Sequence, residues 1–222
     1  MRNRWLIALA AIGLHISIGS VYAWSVLTRP IMADMGFTMS QTTWTFSLAI
    51  LMLGLSAGFL GSFAEKIGPK KSGLLSMLFW VAGLLGTAYA LSIHNLTLLY
   101  LFYGIIGGIG LGIGYITPVS TLVKYFPNRP GFATGLAIMG FGFASLIAGP
   151  LMQFLVAQVG LVNNFIILGV IYLVVMGASS LYLKAPQPKQ PTRTTKDKST
   201  MYVHNHGMLA NDAMKTWQFG AL

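Results

Sequence analysis

Six long apolar segments follow one another along residues 5–184, and they constrain the fold more than any other feature. We place them at residues 5–27, 44–63, 72–92, 97–122, 133–158 and 163–183. A helix needs about 20 mainly apolar residues to cross the hydrocarbon core of a bilayer, and every segment is of that length. The runs are continuous rather than alternating, which favours helices over barrel strands. The sequence therefore predicts an all-α membrane protein with six transmembrane helices.

The low content of charged residues supports a membrane location. Asp, Glu, Lys and Arg make up only 8% of the 222 residues, against about 25% in soluble domains. The net charge of +10 would suggest nucleic-acid binding if it formed a patch on a folded domain. However, the Lys and Arg lie in short loops that flank the apolar segments. We therefore expect the lipid bilayer to be a partner of this chain, and nucleic acid not to be one.

The distribution of Lys and Arg predicts the orientation in the membrane. The N-terminus, the second and fourth gaps between segments, and the chain from residue 184 onward together hold 13 of the 14 Lys and Arg. The opposite side holds only Arg29. Short loops rich in Lys and Arg stay on the cytoplasmic side. We therefore expect a multi-pass protein of the cell inner (plasma) membrane, with its N-terminus and its C-terminal tail in the cytoplasm.

The chain divides into three predicted parts. Residues 1–184 form a six-helix transmembrane half-bundle. Residues 185–207 are rich in Pro, Lys and Arg and poor in large apolar side chains, which predicts a basic cytoplasmic linker. Residues 208–222 resemble the start of a truncated seventh helix. Its apolar run of seven residues from Thr216 would extend about 10 Å, too little to cross a core of about 30 Å.

Two short patterns recur at a nearly constant offset. The segment Gly19–Tyr22 recurs as Gly112–Tyr115 after 93 residues, and Ala57-Gly58 recurs as Ala148-Gly149 after 91. Each copy would contain three helices, and because three is odd the second copy enters the membrane from the opposite face. The sequence therefore predicts two inverted three-helix repeats.

Glycines at helical spacing predict close contacts between helices. In the fourth segment Gly104, Gly108 and Gly112 are spaced by four residues, and Gly54 and Gly58 have the same spacing in the second. Small residues at this interval allow helix backbones to approach closely in lipid. Two interpretations stay open: a static contact seam, or a seam along which helices move during transport.

The loop between the second and third segments reads GSFAEKIGPKK over residues 61–71: a glycine, an acid and a base, then a glycine and further bases. This pattern resembles the signature loop of the major facilitator superfamily. Glu65 replaces the usual Asp, and Pro69 stands where Arg is common. The residues that the resemblance assigns to a conformational-switch loop are Gly61, Glu65, Lys66, Gly68, Lys70 and Lys71. A carboxylate among cations can form a charge cluster that breaks and re-forms between states. A plain basic turn is the alternative.

Two further segments resemble the oxalate:formate antiporter family, which includes carriers of oxalate, formate, lactate and pyruvate-like anions. They are GSVYAWS at residues 19–25 and KYFPNRPG at residues 124–131. The resemblance covers the whole chain but only the first half of the family fold. It implies the N-terminal half of a secondary active transporter that works by alternating access. The missing C-terminal six-helix half would then be a partner.

Four residues make up the candidate substrate-binding site. By resemblance, Tyr22 and Tyr115 match positions that line the central cavity, and Phe141 stands where a relative has Tyr. His15 is the only residue within a segment that titrates near neutral pH, and such residues usually face a cavity or a partner. A hydrogen-bonded packing role for His15 is equally open. Trp24 is expected to anchor the first helix near the outer interface.

The predicted site lacks a positive charge. No Lys or Arg lies in the middle of the six segments, although a carboxylate substrate needs such a charge where water is excluded. In the resembling family it comes from the C-terminal six helices. No catalytic constellation or nucleotide-binding loop is recognisable, so we expect a protein that is not an enzyme and needs no cofactor or metal. The alternatives are an inactive truncated product and a self-assembling half-transporter or channel.

Overall fold

The computed structural model describes residues 3–186, so nearly all of the predicted linker and the whole of the predicted seventh helix lie outside the described residues. The described backbone is helical and contains no strand. Five of its helices are long and apolar enough to cross a membrane: α1 (Arg4–Met35), α2 (Met39–Ile67), α3 (Pro69–Ser92), α4 (Leu96–Tyr125) and α5 (Pro130–Tyr182). The predicted all-α membrane class is confirmed.

The fifth helix is interrupted at Gly160. The backbone there has φ +84° and ψ 172°, a left-handed conformation that glycine adopts without steric cost. The break divides α5 into a first arm, residues 130–159, and a second arm, residues 161–182. It falls between the fifth and sixth segments that the sequence predicts.

The two arms of α5 fold back on each other, because both contact the same stretch of α1. A methyl group on Gly19 would lie 2.7 Å from Ala144 Cβ in the first arm. One on Gly13 would lie 2.7 Å from Ser179 Oγ in the second arm. In a straight helix Ala144 and Ser179 would be about 50 Å apart, whereas Gly13 and Gly19 are separated by only about 9 Å along α1.

Short connections with specific caps separate the helices. Gly36 ends α1 with φ +68°, as a left-handed C-terminal residue commonly does. Thr38 and Gln41 form a capping box at the start of α2. Gly68, with φ +83°, is followed directly by Pro69 at the first position of α3, where proline is favoured. These tight turns leave few residues between consecutive helices.

Two helices depart from regular α geometry. In α1 the residues Ser20–Ala23 form a 3-10 turn, and in α4 the residues Tyr100–Gly107 form a π-helix. α1 also extends eight residues past its predicted end at residue 27, reaching Met35. The extension is stabilised by packing, because Leu27, Ile31 and Met35 on one of its faces are buried.

Glycines allow α4 to lie closely between α2 and α3. Methyl groups on Gly104 and Gly108 would lie 2.8 Å from Leu48 Cβ and 2.6 Å from Met52 Cβ of α2. On the opposite side, a methyl group on Gly110 would lie 2.7 Å from the backbone nitrogen of Trp80 in α3. The contact seam predicted for the glycines of α4 is therefore confirmed.

Gly54 and Gly58 of α2 are not part of a close helix contact within the described residues. A methyl group on Gly54 or Gly58 would meet no atom within 4 Å in the described part of the chain. A seam through these two glycines is therefore not formed within residues 3–186. The side of α2 that contacts α4 is the one carrying Leu48, Met52 and Ser56.

Trp24 is part of the core. Its side chain is 3% exposed, and its indole N–H donates to the carbonyl of Thr42 at 3.2 Å. Its ring centroid lies 4.3 Å from that of Tyr103. The predicted anchor at the outer interface is therefore wrong, because α1 turns this side chain toward α2 and α4.

Candidate substrate site

The four predicted site residues meet around Phe141. The ring centroids of Tyr22 and Tyr115 each lie 5.2 Å from that of Phe141, in edge-on geometry. The His15 ring lies 5.7 Å from Phe141. Such separations are typical of interacting aromatic rings. We refer to His15, Tyr22, Tyr115 and Phe141 as the aromatic cluster.

Two glycines bring the cluster together. A methyl group on Gly19 of α1 would clash with the backbone carbonyl of Phe141. One on Gly140 would lie 3.5 Å from His15 Cβ. Because both positions lack a side chain, α1 and the first arm of α5 approach closely enough for Phe141 to contact Tyr22. Tyr115 completes the cluster from α4.

His15 is turned into the protein. Its side chain is 0% exposed, with Nδ1 2.6 Å from the carbonyl oxygen of Ala137 and Nε2 3.0 Å from that of Tyr115. Its ring also stacks on the Tyr115 ring, at 5.6 Å and 22°. A neutral imidazole carries one N–H and donates to one carbonyl at a time, whereas a protonated ring donates to both. His15 therefore connects α1 to α4 and α5.

The tyrosines form the accessible side of the cluster. The Tyr22 side chain is 43% exposed, and Tyr115 is partly exposed. A tyrosine hydroxyl can donate to a carboxylate while its ring packs against the carbon skeleton of a small anion. Phe46 of α2 extends this surface, with its ring 6.3 Å from that of Tyr22. Phe46 could not be predicted as a site residue, because the sequence shows only that it is apolar.

Within residues 3–186 the cation–π contacts are those of Arg4 with Trp5 and Phe126, and none reaches the cluster. All Lys and Arg of this part except Arg29 lie near the end of a helix: Arg4, Lys66, Lys70, Lys71, Lys124, Arg129 and Lys184. The described residues also hold no group of three or more His, Cys, Asp or Glu that could bind a metal ion. The cluster therefore offers hydroxyl groups and ring surfaces.

The predicted switch loop lies at the opposite end of α2 from Thr38. A methyl group on Gly61 would lie 2.7 Å from Ile116 Cδ1, so this glycine allows α2 to approach α4. Glu65 pairs with Lys124 at the end of α4, with Nζ 3.7 Å from Oε1. Both side chains are about half exposed, and such pairs contribute about 0–1 kcal/mol.

The three lysines of the predicted switch loop lie at the protein surface. Lys66, Lys70 and Lys71 are exposed, whereas the ion-pair partner of Glu65 is Lys124 of α4. The sequence places Lys124 in a separate motif, so the link between the two motifs becomes visible only in the fold. The role of this loop as a switch stays a prediction.

Comparison with known proteins identifies the family. The profile of the Major Facilitator Superfamily matches residues 7–218, which is nearly the whole chain. The chain belongs to the major facilitator superfamily. The resemblance found in the loop at residues 61–71 is thereby confirmed, and the chain is a multi-pass membrane protein of a transporter family.

Several curated members of the superfamily are similar to the chain. An uncharacterized MFS-type transporter, YhjX of Escherichia coli (strain K12), is 34% identical over 198 residues, or 87% of this chain and 47% of the relative. The oxalate:formate antiporter of Oxalobacter formigenes is 27% identical over 171 residues, 76% of this chain and 40% of the relative. Monocarboxylate transporter 14 of Homo sapiens is 29% identical over 174 residues, 76% and 33% respectively.

The chain spans about half the length, or less, of the major facilitator proteins that it matches.

Proposed function

We propose that this chain is the N-terminal half of a secondary active carrier of small organic anions such as oxalate, formate, lactate or pyruvate. The observation that carries the proposal is that the rings of Tyr22 and Tyr115 each lie 5.2 Å from the ring of Phe141. Two hydroxyl donors over an aromatic surface suit a small carboxylate. The similarity to an oxalate:formate antiporter and to monocarboxylate transporters supports this substrate class.

The charge that balances the substrate would come from a C-terminal six-helix half. In the described part of the chain no cation–π contact reaches the aromatic cluster, and an anion needs a positive charge where water is excluded. Open glycines offer surfaces for that half to dock. Methyl groups on Gly54 and Gly58 of α2, or on Gly135 and Gly142 of α5, would meet no atom within 4 Å in the described residues.

Alternating access would follow from rocking of the two halves, and an inverted repeat within this half would provide its framework. The packing of two equivalent glycines supports the repeat. Gly19 of α1 lies against Ala144 of α5, and Gly112 of α4 lies against Leu53 of α2, 91 residues before Ala144. In the repeat α1 corresponds to α4 and the first arm of α5 to α2, so the two contacts are equivalent.

The orientation we propose has both ends of the chain on the cytoplasmic side of the inner membrane. It requires six crossings, with α5 supplying two of them. The fold-back at Gly160 supports this count, and the 13-to-1 distribution of Lys and Arg supports the direction.

A chimaera tests the proposal. We would join residues 1–222 to the C-terminal half of the oxalate:formate antiporter, reconstitute the fusion in liposomes and measure exchange of labelled oxalate and formate. We expect saturable exchange. A hydrogen bond to a charged group contributes about 1.5–3 kcal/mol. Tyr22→Phe and Tyr115→Phe should therefore weaken apparent affinity about tenfold to hundredfold.

Controls separate this proposal from its alternatives. Tyr89→Phe removes a hydroxyl from an exposed side chain of α3 and should leave exchange unchanged. The 222-residue chain alone should show no exchange. Saturable exchange by the chain alone would contradict the proposal and support a self-assembling half-transporter. A well-folded chimaera without exchange would support an inactive product.

A further inference from the structure

A basic and aromatic pocket lies between the start of α1 and the loop that joins α4 to α5. Its volume is about 380 Å³, and its walls include Arg4, Trp5, Phe126, Asn128, Arg129 and Phe132. We refer to it as the Arg4–Arg129 pocket. It lies far from the aromatic cluster along α1, since Arg4 and Tyr22 are 18 residues apart, or about 27 Å of helix.

One wall of this pocket is aromatic. Trp5, Phe126 and Phe132 contact one another edge-on, with centroid separations of 5.6, 6.4 and 5.9 Å. Trp5 is 53% exposed and Phe132 is about half exposed. Large rings that stay exposed at the end of an apolar helix are typical of the membrane–water interface. The wall therefore lies at the depth of lipid headgroups and the adjoining acyl chains.

The pocket carries two positive charges. The Arg4 guanidinium lies over the rings of Trp5 and Phe126, 6.0 and 5.7 Å from their centroids, and Arg129 lines the same space. Residues 3–186 contain only two acids, Asp34 and Glu65. Glu65 pairs with Lys124, and Asp34 is about 45 Å from Arg4 along α1. Within these residues, no acid neutralises either arginine.

We propose that the Arg4–Arg129 pocket binds the headgroup of an anionic phospholipid of the cytoplasmic leaflet. Guanidinium groups hold phosphate oxygens through paired N–H donors. Trp5 and Phe132 contact the glycerol and the first carbons of the acyl chains. A pocket of about 380 Å³ lies in the range of small-ligand sites. The leaflet follows from the orientation proposed above.

Two other occupants match the pocket less well. Residues 187–222 carry five Lys and Arg but two acids, so this segment has the same sign of charge as the arginines. A soluble anion such as inorganic phosphate would use the guanidinium groups but would leave the exposed aromatic wall without a partner. A phospholipid uses both the charge and the wall.

Native mass spectrometry of the delipidated 222-residue chain tests the proposal. The chain would be titrated with phosphatidylglycerol and with phosphatidylcholine of the same acyl chains. We expect phosphatidylglycerol to bind more tightly. The variant Arg4→Gln/Arg129→Gln should bind it about thirtyfold more weakly, from two lost cationic contacts. The matched variant Lys70→Gln/Lys71→Gln loses the same charge from another loop and should stay within about twofold.

Further measurements distinguish a phospholipid from inorganic phosphate as the bound group. They also show whether a variant loses affinity because it misfolds. Arg4→Lys/Arg129→Lys keeps the charge and the topology but loses the paired donors, so we expect a several-fold loss of phosphatidylglycerol affinity with an unchanged circular dichroism spectrum. Inorganic phosphate at millimolar concentration should not displace the lipid. The proposal is overturned if phosphate displaces it, if phosphatidylcholine binds equally well, or if both glutamine variants lose the same affinity.

Discussion

His15 joins three helices through one side chain. It lies on α1, and its two ring nitrogens lie 2.6 and 3.0 Å from carbonyl oxygens of Ala137 in α5 and Tyr115 in α4. Its ring also supports the Tyr115 ring by stacking. Within the aromatic cluster, His15 therefore holds the rings of Tyr115 and Phe141 in place.

His15→Leu tests this positioning role. Leucine keeps much of the volume but cannot donate a hydrogen bond, so the connection to both carbonyls is lost. We expect a loss of about 1–3 kcal/mol in the free energy of unfolding, measured by thermal unfolding in detergent. Tyr22→Phe removes a hydroxyl from an exposed side chain and should change it by less than about 0.5 kcal/mol. A His15→Leu variant as stable as the parent would contradict the role.

The sequence predicted the members of the aromatic cluster better than it predicted which of their side chains are buried. Tyr22, Tyr115 and Phe141 came from the family resemblance and the repeat, and the fold brings their rings together. His15 was assigned equally to cavity and packing, because spacing on a regular helix does not reveal burial by another helix. The Ser20–Ala23 3-10 turn also alters the rotation between His15 and Tyr22.

At the scale of helices, α4 is the most constrained. Its glycines allow close approach on two sides, to α2 through Gly104, Gly108 and Gly112, and to α3 through Gly107 and Gly110. In lipid, where apolar surface gives no preference for protein over tails, this close packing is a main source of helix association. The position of Tyr115 therefore depends on glycines that lie within about three turns of it on α4.

Gly112→Ala tests the seam between α2 and α4. The added methyl group would clash with Ser56 Oγ and lie 2.8 Å from the backbone nitrogen of Ala57. We expect the variant to lose about 1–3 kcal/mol of unfolding free energy and to melt several degrees lower. Gly58→Ala is the matched control, because nothing lies within 4 Å of the added methyl group. If the two variants melt at the same temperature, the seam is not what holds α4.

Helix existence was predictable here, whereas helix details were not. Apolar runs of membrane length located the long helices, although the fifth and sixth runs lie in one helix, α5, that is interrupted at Gly160. The π-helix at Tyr100–Gly107 gave no signal, because an apolar run has no polar residues to mark its register. Glycine spacing likewise predicted close contact but not its partner, and Gly58 therefore lies open while Gly112 is enclosed.

At the scale of the whole molecule, the number of crossings depends on one residue. With a straight α5 the chain would cross five times and its two ends would lie on opposite sides. With the fold-back at Gly160 it would cross six times, and both ends would lie on the side that receives 13 of the 14 Lys and Arg, as proposed above. The charge pattern and the break in α5 therefore support the same topology independently.

Cysteine labelling can decide between the two topologies, since the chain has no cysteine of its own. We consider Ser92→Cys at the end of α3, Gln158→Cys beside the break in α5, and Ala185→Cys after α5, all at exposed positions. In intact cells a membrane-impermeant maleimide should label Ser92→Cys and Gln158→Cys but not Ala185→Cys, which should react only after permeabilisation. Five crossings would place residue 185 outside, whereas a straight α5 would already carry Gln158, about 42 Å from Pro130, past a core of about 30 Å. The position that decides is therefore residue 185, and labelling of Ala185→Cys in intact cells would exclude the six-crossing topology and the docking of a second half that depends on it.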